Sequence, residues 1–226
     1  MVIAFINRSV ELKRPIDDFA RKLPPLRRSD KPRMSNDHLI IFAKNLIPGQ
    51  VKTRIARTVG NERAVEVYQH LLKYTQQITS RLPYHRVVYY GDFINPDDGW
   101  NGYDKRLQVG NDLGQRMLNA FCEQFEIADR VVIIGSDCLT ITPDHIRLAF
   151  DALNQADVVI GPATDGGYYL LGMNRLYPFL FENMPWSQPE LAELTELAIL
   201  QNGLTFERLE ELTDIDEWED YERAIA

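Results

Sequence analysis

A chain of 226 residues, 45% of them hydrophobic, can bury a substantial core and predicts one α/β domain, alone or with an added segment. The net charge of -8 at pH 7 argues against a general nucleic-acid binder, because such proteins neutralise phosphates with clustered lysine and arginine. Two cysteines give no disulfide framework, and no stretch approaches the roughly 18 apolar residues of a membrane span, so a reduced cytoplasmic protein is expected.

The first 33 residues differ in composition from the rest of the chain, since residues 21–28 are basic and proline-rich. We expect residues 1–36 to form an N-terminal extension, either flexible or a misassigned start, and residues 37–226 to form the functional domain. The basic stretch is more typical of a solvated arm than of a surface that contacts an acidic partner.

Strand-like and helix-like segments alternate from Leu39 onward, which predicts a mostly parallel sheet covered by helices. The predicted strands run from Leu39 to Ala43, Val87 to Tyr90, Val131 to Gly135, Val158 to Gly161 and Tyr168 to Gly172. The predicted helices run from Asn61 to Arg81, Leu113 to Phe125, Pro143 to Asn154 and Pro189 to Gln201. An α/β fold is therefore expected.

The loop after the first predicted strand, residues 43–54, combines a glycine with long cationic side chains. Gly49 lets backbone amides approach phosphate oxygens, and Lys52 and Arg54 can offset the charge of a di- or triphosphate. The loop lacks the second glycine of both the Walker and the dinucleotide fingerprints. A phosphate-binding loop and a surface turn with solvated cations are both compatible with this segment.

Asp137 follows the apolar run of residues 131–134 and the small residues Gly135 and Ser136. A buried strand that ends in this way delivers a carboxylate to the sheet edge where open α/β folds bind their ligands. Asp137 is therefore the first candidate for a metal ligand. The alternative is a cap on the following turn, because aspartate commonly bonds nearby backbone amides.

A third segment, residues 161–172, contains Asp165 followed by Gly166 and Gly167. The glycines allow the backbone to come close to a ligand while the carboxylate bonds a hydroxyl or a metal-bound water. Asp-Gly is also a leading hairpin signal, so a tight turn is the alternative, and both interpretations can hold at once.

A fourth segment, residues 214–220, is acidic and precedes the end of the chain. Its carboxylates suit the caps and dipole partners of a final helix, with Asp216 or Glu217 in the cap position. From the residues alone, metal binding by this segment needs separate support.

Together these segments resemble the GT-A-like nucleotide-diphosphosugar transferases. Within them the chain is similar to the DUF2064 group, also described as rSAM/selenodomain-associated transferase 1 and labelled a glycosyltransferase of arsenosugar biosynthesis. The resemblance runs from about His38 to the C-terminus and rests on residues 42–44 with 48–54, 112–117, 135–138, 161–170 and 185–187. It implies a three-layer α/β/α Rossmann-like fold with a mostly parallel central sheet.

The resemblance also implies roles for individual residues. Those expected to bind the nucleotide are Lys44, Gly49, Lys52, Arg54, Gly114 and Arg116. Those expected to line the acceptor or sugar pocket are Asp165, Gly166, Gly167 and Trp186. Asp137 and Asp165 are the expected catalytic residues, and Asp137 and Asp216 are the expected ligands of Mg²⁺ or Mn²⁺. Trp186 is equally suited to stacking on an acceptor and to anchoring its loop.

The chain departs from the family's pattern near two of these residues. Glu217 and Trp218 stand where Thr-Pro usually follows the second aspartate of the C-terminal Asp-x-Asp segment. Leu139 stands where proline usually follows Ser-Asp-Cys, and we expect this change to alter the turn after Asp137 slightly. Cys138 lacks a suitably spaced histidine, so we expect a small packed thiol rather than a nucleophile.

A nucleotide donor sheds a phosphorylated leaving group, and a divalent ion with Lys52 and Arg54 would stabilise the charge that grows as the bond breaks. The resemblance favours glycosyl transfer from a nucleotide-sugar to a small-molecule acceptor, with Asp165 as a candidate base. Nucleotidyl transfer from a nucleoside triphosphate, as in the similar phospholactate guanylyltransferase, would release pyrophosphate. A nucleotide-binding module without catalysis is the third alternative. The sequence leaves the oligomeric state open, a homodimer included.

Overall fold

Seven strands form one sheet in residues 36–226, the part of the chain that this computed structural model describes. The extension predicted over residues 1–36 lies outside the described residues, apart from Asn36. The strands are β1 (Asp37–Ala43), β2 (His85–Tyr90), β3 (Asp104–Leu107), β4 (Arg130–Ile134), β5 (Val158–Pro162), β6 (Tyr168–Met173) and β7 (Phe206–Arg208). Their order across the sheet is β3-β2-β1-β4-β6-β5-β7.

Strand β6 is the antiparallel member of this otherwise parallel sheet. It pairs antiparallel with β4 and β5, whereas β1 pairs parallel with β2 and β4, β2 with β3, and β5 with β7. In β4, Ile134 is opposite Ile41 on one side and Leu170 on the other. The carboxyl ends of β1 and β4 therefore meet the start of β6 at one edge, and the predicted mostly parallel sheet is confirmed.

Helices cover both faces of the sheet within residues 36–226. They are α1 (Thr53–Val59), α2 (Asn61–Thr79), α3 (Leu113–Phe125), α4 (Pro143–Ala152), α5 (Leu191–Gln201) and α6 (Trp218–Ile225), with a 3-10 helix at Pro178–Phe181. None of these helices is long and apolar enough to cross a bilayer.

Alternating side chains of the strands divide the interior into two cores. Val132 and Ile134 of β4 belong to the first core, which packs under α1, α2, α4 and α6. Val131 and Ile133 belong to the second core, which packs under α3, α5 and the 3-10 helix. This alternation follows from the two-residue period of a strand. The predicted three-layer α/β/α architecture is confirmed.

Among the elements that were not predicted from the sequence, three bury little apolar surface. The edge strand β3 has the sequence Asp-Lys-Arg-Leu with no buried residue, and β7 is three residues long. The short helix α1 buries Ile55 alone among its seven residues. Hydrophobic periodicity predicts an element through its buried face, so such elements give a weak signal.

Local capping explains where several helices begin. Asp112 accepts a hydrogen bond from the backbone of Gln115 at 2.8 Å ahead of α3. Thr142 starts α4 with a capping box, and Glu217 does the same for α6. Such caps satisfy amides that the first helical turn leaves unpaired. The predicted cap role of Glu217 is confirmed.

Candidate active site

A cavity of about 620 Å³ opens at the carboxyl ends of β1 and β4. Its walls include the loop between β1 and α1, the turn after β4, the turn between β5 and β6, and the segment ahead of α6. Parallel strands bring such loops together at one edge of the sheet, which is the usual ligand position in open α/β folds. This cavity is the candidate active site.

Lys52 enters the cavity from an unusual backbone conformation. It precedes α1 with φ 44° and ψ 50°, the left-handed region that a residue with a Cβ rarely adopts. Strained residues of this kind persist where surrounding contacts hold them, and they cluster at ligand sites. The side chain of Lys52 is only 7% exposed. The loop therefore directs this lysine inward rather than toward solvent.

The ammonium group of Lys52 bridges two carboxylates. Its Nζ donates to Asp137 Oδ2 at 2.9 Å and to Asp216 Oδ1 at 3.4 Å. Arg54 donates from Nη1 to Asp216 Oδ2 at 3.2 Å. The carboxylate side chains keep 41% and 38% exposure, so a ligand in the cavity can reach their oxygens. The fold thus brings together four predicted site residues from three separate parts of the chain.

Neighbouring charges govern the protonation of this cluster. Burial alone would lower the pKa of Lys52, but Asp137 and Asp216 outweigh burial and hold that pKa above its usual value. Burial alone would raise the pKa of Asp137, but Lys52 and the backbone amide of Ser136 outweigh it and the pKa is lowered. Lys52 and Asp137 are therefore both charged at neutral pH.

Asp214 lines the same cavity, although no role was predicted for it from the sequence. Burial, followed by the negative charge of Asp137, raises the pKa of Asp214 to about 7. Perturbed carboxyl groups in a cleft are typical of functional sites. The Asp-x-Asp spacing between Asp214 and Asp216 is the sequence signal that could have revealed it.

One carboxylate of the cluster serves two purposes. Oδ1 of Asp137 accepts a hydrogen bond from the backbone of Ser136 at 2.9 Å, while Oδ2 faces Lys52. The carbonyl of Asp137 also accepts from the amide of Ile215 at 2.8 Å, which ties the segment ahead of α6 to the turn after β4. The carboxylate therefore bonds a nearby backbone amide, although that amide precedes Asp137 instead of belonging to the turn that follows, and the second oxygen is directed to the cavity.

Tyr68 of α2 joins two of the loops that line the cavity. Its hydroxyl accepts a hydrogen bond from the backbone of Lys44 at 2.9 Å and lies 3.0 Å from Ser136 Oγ. Burial raises the pKa of Tyr68 to about 12, so the phenol is neutral. In the sequence this tyrosine is one apolar position of an amphipathic helix, so no pattern distinguishes it as a site residue.

Asp165 lies on an exposed turn at the same cavity. Its Oδ1 accepts a hydrogen bond from the backbone of Gly167 at 2.9 Å. Gly166 has φ +86°, and a Cβ at this position would collide with the carbonyl of Pro189. The predicted tight turn is therefore present, and it leaves Asp165 and Gly167 in the lining while Gly166 packs against Pro189.

Trp186 packs against α3 rather than lining the cavity. A Cβ added to Gly114 would lie 2.6 Å from Cζ2 of the indole, so Gly114 makes room for the ring. The indole also stacks on Phe181 with the ring centroids 6.4 Å apart. These contacts correspond to the anchoring interpretation of Trp186, and the next residue, Ser187, does line the cavity.

The predicted site residues fall into two groups. Those that line the cavity are Lys44, Lys52, Arg54, Arg116, Asp137, Asp165, Gly167 and Asp216. Those outside its lining are Gly49, Gly114, Gly166 and Trp186. Gly49 supplies a positive φ of 77° in the turn at residues 48–50, within the loop between β1 and α1. Glycine is suited to that position because it has no Cβ.

The cavity extends over both cores and has two parts. The charged arm, on the side of the first core, consists of Lys52, Arg54, Asp137, Asp214 and Asp216. The apolar arm, on the side of the second core, consists of Leu113, Met117, Ile133, Tyr168, Leu171 and Leu191. Ile133 and Ile134 both line the cavity from opposite faces of β4, so the cavity wraps around the sheet edge.

Comparison with known proteins decides the family. The model of the family described as "uncharacterized protein conserved in bacteria (DUF2064)" matches residues 77–188. A crystal structure of a Desulfovibrio desulfuricans G20 protein, assigned to the nucleotide-diphospho-sugar transferases, is 31% identical. The match covers 81% of this chain and 84% of that chain with a TM-score of 0.76. The chain belongs to the DUF2064 family. The resemblance to nucleotide-diphosphosugar transferases is thereby confirmed.

More distant structures share the fold of this DUF2064 protein. A cytidylyltransferase from Leptospira borgpetersenii serovar Hardjo-bovis (strain JB197) is 20% identical with a TM-score of 0.52, covering 84% of each chain. A 4-diphosphocytidyl-2C-methyl-D-erythritol synthase from Anaerococcus prevotii DSM 20548 is 10% identical with a TM-score of 0.55, covering 84% of this chain and 94% of that one. No curated protein sequence matches the chain.

The acids of this DUF2064 protein fit a divalent cation. Carboxylate oxygens suit Mg²⁺ and Mn²⁺, and Mg²⁺ often binds through one or two carboxylates, water and substrate phosphates. Asp137 and Asp216 present two such carboxylates, both partly exposed. Within residues 36–226, no group of three or more His, Cys, Asp or Glu could hold a metal ion. Donor phosphates and water would therefore have to complete the coordination.

The departures from the DUF2064 pattern lie beside this site. Cys138 is buried, burial raises the pKa of its thiol, and Sγ contacts the carbonyl of Thr213 at 3.6 Å. Leu139 and Trp218 both pack against the first core. Cys138 therefore has the surroundings of a packed thiol rather than those of an activated nucleophile.

Proposed function

We propose that this protein is a glycosyltransferase that depends on Mg²⁺ or Mn²⁺ and moves a sugar from a nucleotide-sugar to a small-molecule acceptor. The observation that carries the proposal is the bridge of Lys52 between Asp137 and Asp216 in the cavity. A donor diphosphate that enters the cavity can reach both the ammonium group of Lys52 and a divalent ion bound by the two acids. Membership of the DUF2064 family, with a 31% identical relative assigned to the nucleotide-diphospho-sugar transferases, supports the assignment.

The donor diphosphate would bind the cations of the cavity. Lys52 and Arg54 present N–H donors in the charged arm, and Lys44 adds a third cation at the end of β1. Hydrogen bonds between cations and phosphate are roughly twice as strong as neutral ones. On donor binding, Lys52 would exchange one of its carboxylate partners for a phosphate oxygen, so its positive charge stays paired.

Asp137 and Asp216 would hold the divalent cation, which when bound offsets the charge of the donor phosphates. Lys52 and Arg54 would stabilise the negative charge that develops on the departing nucleoside diphosphate. The backbone bond between Ile215 and Asp137 keeps the two acidic segments in register, so these groups are positioned before the donor arrives.

Asp165 would orient the acceptor hydroxyl and take its proton. The backbone of Gly167 fixes Oδ1, while no described residue binds Oδ2. The acceptor oxygen would then form its bond to the anomeric carbon as the bond from that carbon to the donor phosphate breaks. The nucleoside diphosphate leaves with the electron pair of the broken bond.

A product assay tests the proposal. Purified protein is incubated with Mg²⁺ or Mn²⁺ and a panel of nucleotide-sugars and nucleoside triphosphates, each with a mixture of small alcohols as acceptors. We expect release of nucleoside diphosphate that stops on chelation of the metal. Release of pyrophosphate from a triphosphate would replace glycosyl transfer by nucleotidyl transfer. Binding of the nucleotides without turnover would reject catalysis.

A further inference from the structure

The apolar arm differs from the charged arm in what it offers a ligand. Five of its six side chains are aliphatic or thioether, and the buried members are Met117, Ile133, Leu171 and Leu191. Leu113 is exposed where α3 begins. A ligand that fills this arm is stabilised by the apolar surface that it removes from water.

A sugar ring does not suit such a surface. Each sugar hydroxyl that leaves water needs a hydrogen-bond partner, because an unpaired buried polar group is unfavourable. The six side chains of the apolar arm carry one polar group between them, the hydroxyl of Tyr168, and the polar side chains of Gln108, Arg116 and Ser187 lie elsewhere in the cavity lining. The arm therefore favours a ligand that is mostly apolar with a single polar group at its end.

The Tyr168 hydroxyl is closed to solvent and has no hydrogen-bond partner among residues 36–226. Burial raises the pKa of Tyr168, so the phenol is neutral and can donate or accept. Buried polar groups in proteins nearly always have a partner. Tyr168 lines the cavity, so a ligand in the apolar arm lies beside the residue whose hydroxyl lacks a partner, and the ring must shift for the two to pair.

We propose that the apolar arm is the acceptor subsite, and that the acceptor is an alcohol with an aryl or alkyl body and a second hydrogen-bonding group at its far end. This inference rests on the proposed glycosyl transfer. The body fills the apolar arm, the far group pairs with Tyr168, and the alcohol faces Asp165. The alcohol oxygen bonds to the anomeric carbon, its proton passes to Asp165, and the nucleoside diphosphate leaves with the electron pair.

Three probes test the class of acceptor by isothermal titration against the full chain. Tyrosol has an alcohol, an aromatic body and a phenol at its far end, 2-phenylethanol lacks the phenol, and glucose is wholly polar. We expect tyrosol to bind about fivefold more tightly than 2-phenylethanol, the value of about one hydrogen bond. We expect no binding of glucose at the same concentrations. The proposal is overturned if glucose binds as tightly as tyrosol or if tyrosol does not bind.

A substitution that fills the apolar arm tests whether tyrosol binds there. In the variant Met117→Trp the indole ring, which is larger than the methionine side chain, occupies the apolar arm. We expect tyrosol affinity to fall at least tenfold, while affinity for a nucleoside diphosphate changes less than twofold. Leu118→Trp is the matched control, because Leu118 is adjacent on α3 but does not line the cavity. Tyrosol binding that survives Met117→Trp in a folded protein would place the probe elsewhere.

Tyr168→Phe tests the hydrogen bond and does not depend on whether Met117→Trp folds. We expect tyrosol affinity to fall about fivefold and 2-phenylethanol affinity to change less than twofold. The variant should melt no lower than the parent, because it removes a hydroxyl without a partner. An equal loss of affinity for both probes would mean that Tyr168 contributes packing and no hydrogen bond. No loss of affinity for either probe would mean that Tyr168 is not part of the subsite.

The outcomes separate this inference from the proposed function. If the protein has no transferase activity but binds tyrosol, and Met117→Trp blocks that binding, glycosyl transfer is rejected and the apolar arm remains a binding site. Nucleoside diphosphate release with polar acceptors, in a protein that does not bind tyrosol, would keep the transferase and reject the acceptor class.

Discussion

The two arms of the cavity are built in opposite ways. The charged arm joins residues that are far apart in the chain, since Lys52 lies 164 positions from Asp216, and it holds them by ion pairs. The apolar arm is continuous with the second core, since Met117, Ile133 and Leu171 are buried members of that core. The comparison shows that one cavity can combine a polar half assembled from distant parts of the chain with an apolar half that is a continuation of the core.

The largest expected effect comes from removing the charge of Asp137 in the charged arm. We expect Asp137→Asn to lower metal-dependent turnover at least a hundredfold, because the amide keeps the shape but loses the charge that pairs with Lys52 and, in the proposed site, holds the divalent cation. Steady-state rates at saturating metal would measure this. Asp144→Asn removes an exposed carboxylate on α4 and is the control. Turnover unchanged in Asp137→Asn would exclude this residue as a ligand.

Removal of the charged arm's lysine should have the next largest effect. We expect Lys52→Ala to weaken nucleoside diphosphate binding by roughly 1.5–3 kcal/mol, the range for a charge-assisted hydrogen bond in a shielded site. Titration calorimetry gives the dissociation constant. Arg57→Ala removes an exposed cation from α1, the helix that Lys52 precedes, and should leave binding unchanged. If both variants bind equally well, phosphate recognition lies outside the charged arm.

A methyl group on Gly114 should disturb the apolar side and spare the charged arm. We expect Gly114→Ala to destabilise the protein by about 1–3 kcal/mol, because the new Cβ meets the indole of Trp186. Chemical denaturation measures the loss, and adding Trp186→Phe should recover part of it. Nucleoside diphosphate binding should change less than twofold. A tenfold loss would instead place Gly114 at the nucleotide, as the family resemblance implied.

The smallest expected effect lies at the far end of β1, away from both arms. Burial, partly offset by a hydrogen bond with Gln124, lowers the pKa of His38 below 6.5. The folded protein therefore binds this proton more weakly than the unfolded chain does. The free energy of unfolding should accordingly fall as the pH drops from 6.5 toward the lowered pKa.

Denaturation curves between pH 5 and 8 would measure the effect of His38. We expect His38→Gln to flatten the acid side of the stability profile, while His70→Gln keeps its slope. Asp37, His85 and Asp104 also act on His38, so the comparison is made between variants in one buffer series. A slope that persists unchanged without His38 would assign the acid sensitivity to other groups.

Sequence patterns predicted the charged arm far better than the apolar arm. A carboxylate that follows an apolar strand is easily recognised, as Asp137 is, and the cationic segment of residues 43–54 indicated Lys52 and Arg54. The contact between these residues and Asp216 depends on the order of strands in the sheet, which periodicity does not give. Met117 and Leu171 look like ordinary core positions, so no sequence signal distinguished the cavity wall from the interior.

The fold followed from the sequence wherever an element buries an apolar face. Helix α3 begins and ends at the predicted residues, Leu113 and Phe125. Strand β3 was not predicted because its residues are mostly charged. Its place at the edge of the sheet explains why a charged sequence is tolerated there. No role was predicted for Asp214 for a different reason. Its raised pKa comes from burial and from the charge of Asp137, and both arise only when the cavity is assembled.

The backbone bond between Ile215 and Asp137 has a consequence for biosynthesis. A ribosome delivers the sheet strands from β1 to β7 before it delivers Asp216, and domains generally fold as they emerge. Lys52 and Asp137 can meet on the nascent chain, but their third partner arrives only after all seven of these strands have been made. The proposed cation binding by Asp137 and Asp216 can therefore be completed only after translation has passed residue 216.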